Sequence, residues 1–153
     1  MIKKQIGQTL STVAIATKMA IERNLKILLV STSVNDETVK RCFWKENKNK
    51  SKLISEPGSL EVENGIEGLM RLITSNKIEP SVITDYSHAI LKGRFEVLFG
   101  FSALSDNVVG KNVEIYNEIY QNYCKVLQVA NQYYDIVLVD LDGRLNMEIK
   151  KQI

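Results

Sequence analysis

The chain has 153 residues, 44% of them apolar, which suits one domain over residues 1–153 built on a single core. Twenty Lys and Arg against 18 Asp and Glu leave a formal charge of +2, so no global electrostatic drive towards nucleic acid or anionic lipid is expected. No segment reaches the roughly 18 consecutive apolar residues of a membrane span, and Lys3, Lys4 and Gln5 are followed by residues of mixed polarity rather than by a signal peptide's apolar core. A cytoplasmic protein is therefore expected.

Along the chain, Leu10, Val13, Ala14, Thr17, Ala20 and Ile21 recur at helical steps and predict a helix over Thr9 to Arg23. "LKILLVSTS" (Leu25 to Ser33) is an almost unbroken apolar run ending in small polar residues, as in a parallel strand buried on both faces. "VNDETVKRCFWKEN" reads as a short helix with Val39, Cys42 and Phe43 on its inner side. Lys45 to Gly65 is polar, contains Pro57 and Gly58 and has no period, which predicts a long surface loop.

Ile66, Leu69, Met70, Leu72 and Ile73 mark a further helix, and "IEPSVITDYSHAIL" restarts one after Pro80. "RFEVLFGF" (Arg94 to Phe101) predicts a strand. Val113, Tyr116, Tyr120, Tyr123, Leu127 and Ala130 trace an amphipathic helix between Asn112 and Gln132. "YYDIVLVDLDG" is a buried apolar strand ending in aspartate, and "RLNMEIKKQI" a short last helix. Helices alternating with apolar strands predict an α/β fold with a mostly parallel sheet flanked by helices.

Two motifs carry chemistry. In "KKQIGQTL" (Lys3 to Leu10) a glycine, a polar residue and a threonine precede the first helix; backbone N–H groups converging at such a turn, with the helix dipole behind them, hold phosphate. Asp140, with Asp142 nearby, closes the last strand, and a carboxylate there can hold Mg²⁺ directly or through water. The plain alternatives are a capped helix start and a solvated strand-to-loop turn.

Taken together, these segments resemble the ParA/MinD-type deviant P-loop ATPases, whose loop reads K-G-G-x-G-K-[ST]-[ST]. "KKQIGQTL" lies over that loop without gaps, "LKILLVSTS" looks like the family's second strand, "FEVLFGF" like a later one, and "YYDIVLVDLDG" like the Walker B strand. "GQTLSTVAIATKMA", "VSTSVNDETVKRCFW" and "NQYYDIVLVDLDGR" are similar to a Firmicute branch whose loop also carries Gln. The resemblance implies a three-layer, Rossmann-like P-loop NTPase fold. It also implies a nucleotide site of Lys3, Lys4, Gly7, Gln8, Thr9 and Leu10, and Mg²⁺ held by Thr9, Asp140 and Asp142. ATP and Mg²⁺ would be the cofactors.

The sequence departs from the family at several of these positions. Gln8 replaces the lysine that neutralises the β and γ phosphates. Lys4 and Gln5 replace loop glycines, and Ser31 and Ser33 stand where the family's second strand ends in aspartates. Only Met1 to Ile6 precede the loop, too few for the family's central strand, so the fold is expected to be incomplete and its sheet edges to want a second copy or another protein. Two functions follow: an ATP-dependent dimer switch in partitioning, positioning or assembly, or a catalytically degenerate pseudo-ATPase serving as an interaction module.

Other features have plainer readings. "KRCFWKENKNKSK" carries six Lys or Arg with Phe43 and Trp44, a mixture that can contact nucleic acid, but it reads more simply as a solvated loop with its aromatics in the core. Cys42 and Cys124 are far apart, and His88 has no nucleophile beside it; they read as packing residues, with no constellation for a metalloenzyme or hydrolase.

Overall fold

The computed structural model of the chain describes residues 6–32, 37–43, 65–74, 79–100 and 113–141. In chain order these form α1 (Ile6–Glu22), β1 (Ile27–Ser31), α2 (Glu37–Phe43) and α3 (Ile66–Thr74), then a 3₁₀ turn (Pro80–Val82) running into α4 (Ile83–Tyr86). β2 (His88–Leu91), β3 (Phe95–Leu98), α5 (Val113–Ala130) and β4 (Ile136–Asp140) follow. The strands make a four-stranded sheet in the order β2-β3-β1-β4. β1 pairs in parallel with both β3 and β4, and β2 joins β3 antiparallel. This is the expected α/β architecture.

β1 is buried at every position, which is why its sequence lacks strand alternation: each face meets a separate apolar layer. Ile27 and Leu29 pack with Val13, Ala16 and Ala20 of α1, Val39 of α2, and Phe95 and Val97 of β3. Leu28 and Val30 pack with Ile66 and Leu69 of α3, Ile83 of α4, and Tyr123, Val126 and Ala130 of α5. Helices thus cover both faces of the sheet.

Several sequence expectations need correction. "SHAIL" was expected to be helical, yet His88–Leu91 is strand β2, because α4 stops at Tyr86 and Ser87 turns extended. Burial on α1 runs along Val13, Ala16 and Ala20, while Leu10 and Ile21 are exposed; the apolar periodicity allowed several faces, and the small alanines are the ones admitted close to the sheet. Cys42 is exposed rather than inward, whereas Val39 is buried and the Phe43 ring meets that of Phe95 edge-on at 5.6 Å. α1 begins at Ile6 and the two central strands are shorter than expected. The predicted surface loop, apart from Gly65, and the predicted last helix lie outside the described residues.

On the α5 face, Glu96 of β3 accepts hydrogen bonds from the Tyr134 hydroxyl at 2.5 Å and from the Ser87 hydroxyl. Burial, then the bond to Glu96, pushes the Tyr134 phenol far above its usual range, so it stays a proton donor to that carboxylate. These bonds fasten the segment after α5 and the start of β2 to the same sheet residue.

His88 is half-buried, with its ring 5.1 Å from that of Phe99. Burial first, and the nearby Lys40 charge second, lower its pKa below 6.5. The unfolded chain therefore binds this proton more readily than the folded one, so stability should fall as pH drops below about 6.5, levelling off below the folded pKa. Denaturation midpoints between pH 7.5 and about 5 should show this loss, and a His88→Gln variant should lose less. An equal slope in both proteins would remove His88 as its source.

Candidate functional site at the carboxyl ends of the central strands

The carboxyl ends of β1, β3 and β4 lie side by side because the three strands are parallel and in register. Thr32 follows β1, Asp140 closes β4, and Phe99 follows β3. Thr32 donates to the Asp140 carbonyl through both its backbone N–H, at 3.0 Å, and its hydroxyl, at 2.9 Å. From the α5 face, Tyr123 donates its hydroxyl to the Ser31 carbonyl at 3.1 Å. The two strand ends are held as one unit.

Asp140 is only 3% exposed, and its Oδ1 is shut off from solvent. A buried carboxylate is costly to keep charged. The rest of β4, Ile136 to Val139, is half-exposed; the expectation of a buried strand is thus corrected to a half-covered strand whose aspartate is its best-buried residue. The reason is position, since β4 comes last among the described strands of the sheet and has β1 as its described neighbour.

The first turn of α1 reaches this strand end. The Gln8 side-chain amide donates to the Leu141 carbonyl, the residue after Asp140, at 3.5 Å. Gly7, Gln8 and Thr9 all lie inside the helix, with Thr9 half-buried and Leu10 48% exposed. Among the described residues, a Cβ built on Gly7 would meet nothing within 4 Å. The Thr12 hydroxyl donates back to the Gln8 carbonyl one turn earlier, at 3.0 Å. The N–H groups of a helix's first turn have no intrahelical acceptor, and here they belong to Ile6, Gly7, Gln8 and Thr9.

Two residues that the sequence reading did not assign to the site also stand at this end of the sheet. The Cys42 thiol of α2 is pushed up by burial and, second, by the Asp140 charge, so it is a poor thiolate. Its Sγ donates to the Thr38 carbonyl at 3.2 Å. The Lys40 ammonium lies 5.1 Å from the centre of the Phe99 ring, bringing a cation to the strand ends. Neither was legible, because α2 and β4 are almost a hundred positions apart in the chain.

Of the sequence-predicted site residues, Gly7, Gln8, Thr9 and Leu10 share one helix start, and Gln8 ties that start to the end of β4 beside Asp140. Lys3, Lys4, Ser33 and Asp142 lie outside the described residues. Among the described residues no group of three or more His, Cys, Asp or Glu is placed to hold a metal ion. One carboxylate and one hydroxyl suit a Mg²⁺ ion that keeps most of its waters and arrives with phosphate oxygens. They do not suit a dedicated protein cage. An open concavity on α1, lined by Ala14, Thr17, Lys18, Ile21 and Glu22, lies two turns and more beyond Gly7 and is separate from this site.

Among the described residues no helix is long and apolar enough to cross a membrane. Comparison with protein-family models, curated proteins and solved structures finds no match.

Proposed function

We propose that the first turn of α1 and Asp140 form a phosphate-binding site for a nucleotide, as the likeness to the ParA/MinD-type ATPases implies. What carries the reading is the tie between the two motifs: Gln8 bonds the backbone beside Asp140, so the helix start and the carboxylate belong to one end of the sheet. The first-turn N–H groups, which have no intrahelical acceptor, would take the anion there. Thr9 and Asp140 would hold a hydrated Mg²⁺, which supplies charge neutralisation for the phosphates. The chain's own part is to present N–H donors, a hydroxyl and a buried carboxylate. Lys3 or Lys4 stands in for the missing loop lysine in this reading, and ATP-switched dimerisation is the activity it would serve.

A second reading is favoured by the same bond. The Gln8 amide is engaged with the Leu141 carbonyl and, being neutral, cannot supply the lysine's charge. On this reading the scaffold is a pseudo-ATPase retained as an interaction module.

Titrating a fluorescent ATP analogue with and without Mg²⁺ separates the two. The nucleotide reading expects saturable, Mg²⁺-dependent binding, weakened about tenfold or more by Thr9→Ala and by Asp140→Ala, the loss of roughly one charge-assisted contact. Absence of binding by the folded protein, or binding unchanged in both variants, refutes it and leaves the interaction module.

A further inference from the structure

The strand order marks one place at the carboxyl end of the sheet. β1 and β3 are parallel neighbours, but the chain goes on from β1 into α2, on the α1 face, and from β3 into α5, on the opposite face. Adjacent strands whose continuations part in this way make a topological switch point, where open α/β sheets bind their ligands. Phe99, the residue after β3, stands there. One step beyond the Val30–Leu98 pair, it is level with Ser31, whose other neighbour is Asp140. Two strand spacings put Phe99 and Asp140 about 10 Å apart, so the switch point adjoins the candidate site.

α2 brings a cation to this place. Buried Val39 and the contact of Phe43 with Phe95 hold the helix against the sheet. Lys40 lies between them in sequence, is exposed, and sets its ammonium 5.1 Å from the centre of the Phe99 ring. Among the described residues the ion pair present joins Lys18 to Glu22, so no described carboxylate neutralises Lys40. The Asp140 charge reaches the same helix, since it helps to raise the Cys42 thiol. His88, the other titratable group against Phe99, has its pKa lowered by burial and then by Lys40, so it is largely neutral at pH 7. Gln8, on the α1 side, carries no charge.

Resting on the nucleotide reading of the neighbouring site, we infer that Lys40 is a phosphate-binding residue and selects nucleoside di- and triphosphates over monophosphates. Every added phosphate brings negative charge, which Asp140 repels and the neutral Gln8 amide cannot offset. Backbone N–H groups at the start of α1 suit one phosphate. The phosphates beyond it need a cation, and α2 supplies Lys40 from the β3 side of the site, opposite α1. A lysine ammonium is a point charge on a flexible stem, so it can leave the Phe99 ring and meet phosphate oxygens without any movement of α2. Lys40 is thus distinct from Lys3 and Lys4, which enter from the α1 side.

Titrating fluorescent analogues of ATP and AMP, each with Mg²⁺, into the whole chain tests this in the wild type, Lys40→Met and Lys40→Arg, with far-UV circular dichroism as the control for folding. Lys40→Met should weaken the ATP analogue about tenfold or more, the loss of roughly one charge-assisted contact, and narrow the preference for ATP over AMP by the same factor. Lys40→Arg keeps the charge and should stay within about threefold of the wild type. Three results overturn the role of Lys40: unchanged ATP binding in Lys40→Met, an unchanged preference for ATP over AMP, which marks a merely structural effect, or Lys40→Arg as weak as Lys40→Met. If Asp140→Ala weakens ATP binding while Lys40→Met does not, the role of Lys40 fails and the nucleotide reading stands. If the folded wild type binds neither analogue, both fail.

Discussion

Replacing Phe95 by alanine is expected to remove about 3–5 kcal/mol of folding stability, the range for deleting a fully buried aromatic ring. Phe95 is completely buried. It lies in β3 opposite Ile27 of β1 and Leu91 of β2, and it takes the edge of the Phe43 ring. The cavity would therefore open where three strands and α2 meet. Urea denaturation of the purified variant gives the answer through the shift in midpoint. A loss below about 1 kcal/mol would mean that this layer is not the packed core described above.

The second large effect is expected at Gly65. Its φ of +94° lies where side chains are rarely tolerated, and a Cβ there would come within 2.9 Å of the Phe99 carbonyl oxygen. That neighbour is backbone and cannot rotate away. Its position is also fixed, since Gly65 N–H donates to the Tyr86 carbonyl and Ile66 N–H to the Phe99 carbonyl. Gly65→Ala should therefore cost roughly 2–3 kcal/mol, combining left-handed strain with displacement of one strand end. Gly93 supplies the comparison: its φ is +72° but among the described residues nothing lies within 4 Å of its built Cβ, so Gly93→Ala should cost only about 1 kcal/mol. Equal losses in the two variants would show that the Phe99 contact is not what demands glycine at position 65. Phe99 also carries the contacts of Lys40 and His88, so a shift there would reach the candidate site.

The legible parts of the fold are those in which one local pattern admits one environment. "KILLVS" has too long an apolar run to leave a face in water, and β1 is buried throughout. Tyr123 and Ala130 take the inner face of α5 as their spacing requires, whereas Val126, outside the predicted stripe, is fully buried and the predicted Leu127 only partly so. "HAIL" was not legible: its propensities fit a helix turn or a strand, and pairing with β3 decided the matter. α1 illustrates a different difficulty. Its apolar residues surround much of the helix, so periodicity alone could not choose between the face bearing Leu10 and Ile21 and the face bearing Ala16 and Ala20.

The candidate site divides in the same way. The sequence alone determined an α/β chain with a glycine-containing helix start and an aspartate closing an apolar strand, because spacing, composition and turn chemistry are local properties that the chain carries with it. Tertiary structure decided which of those pieces meet. Parallel register brought Thr32 against Asp140, the first turn of α1 came down on Leu141, and α2 brought Cys42 and Lys40 to the same end. It also decided that β4 comes last among the described strands of the sheet, with its apolar residues partly covered. Such contacts join residues many tens of positions apart, and their free energy depends on the assembled sheet, so no window of the sequence contains them.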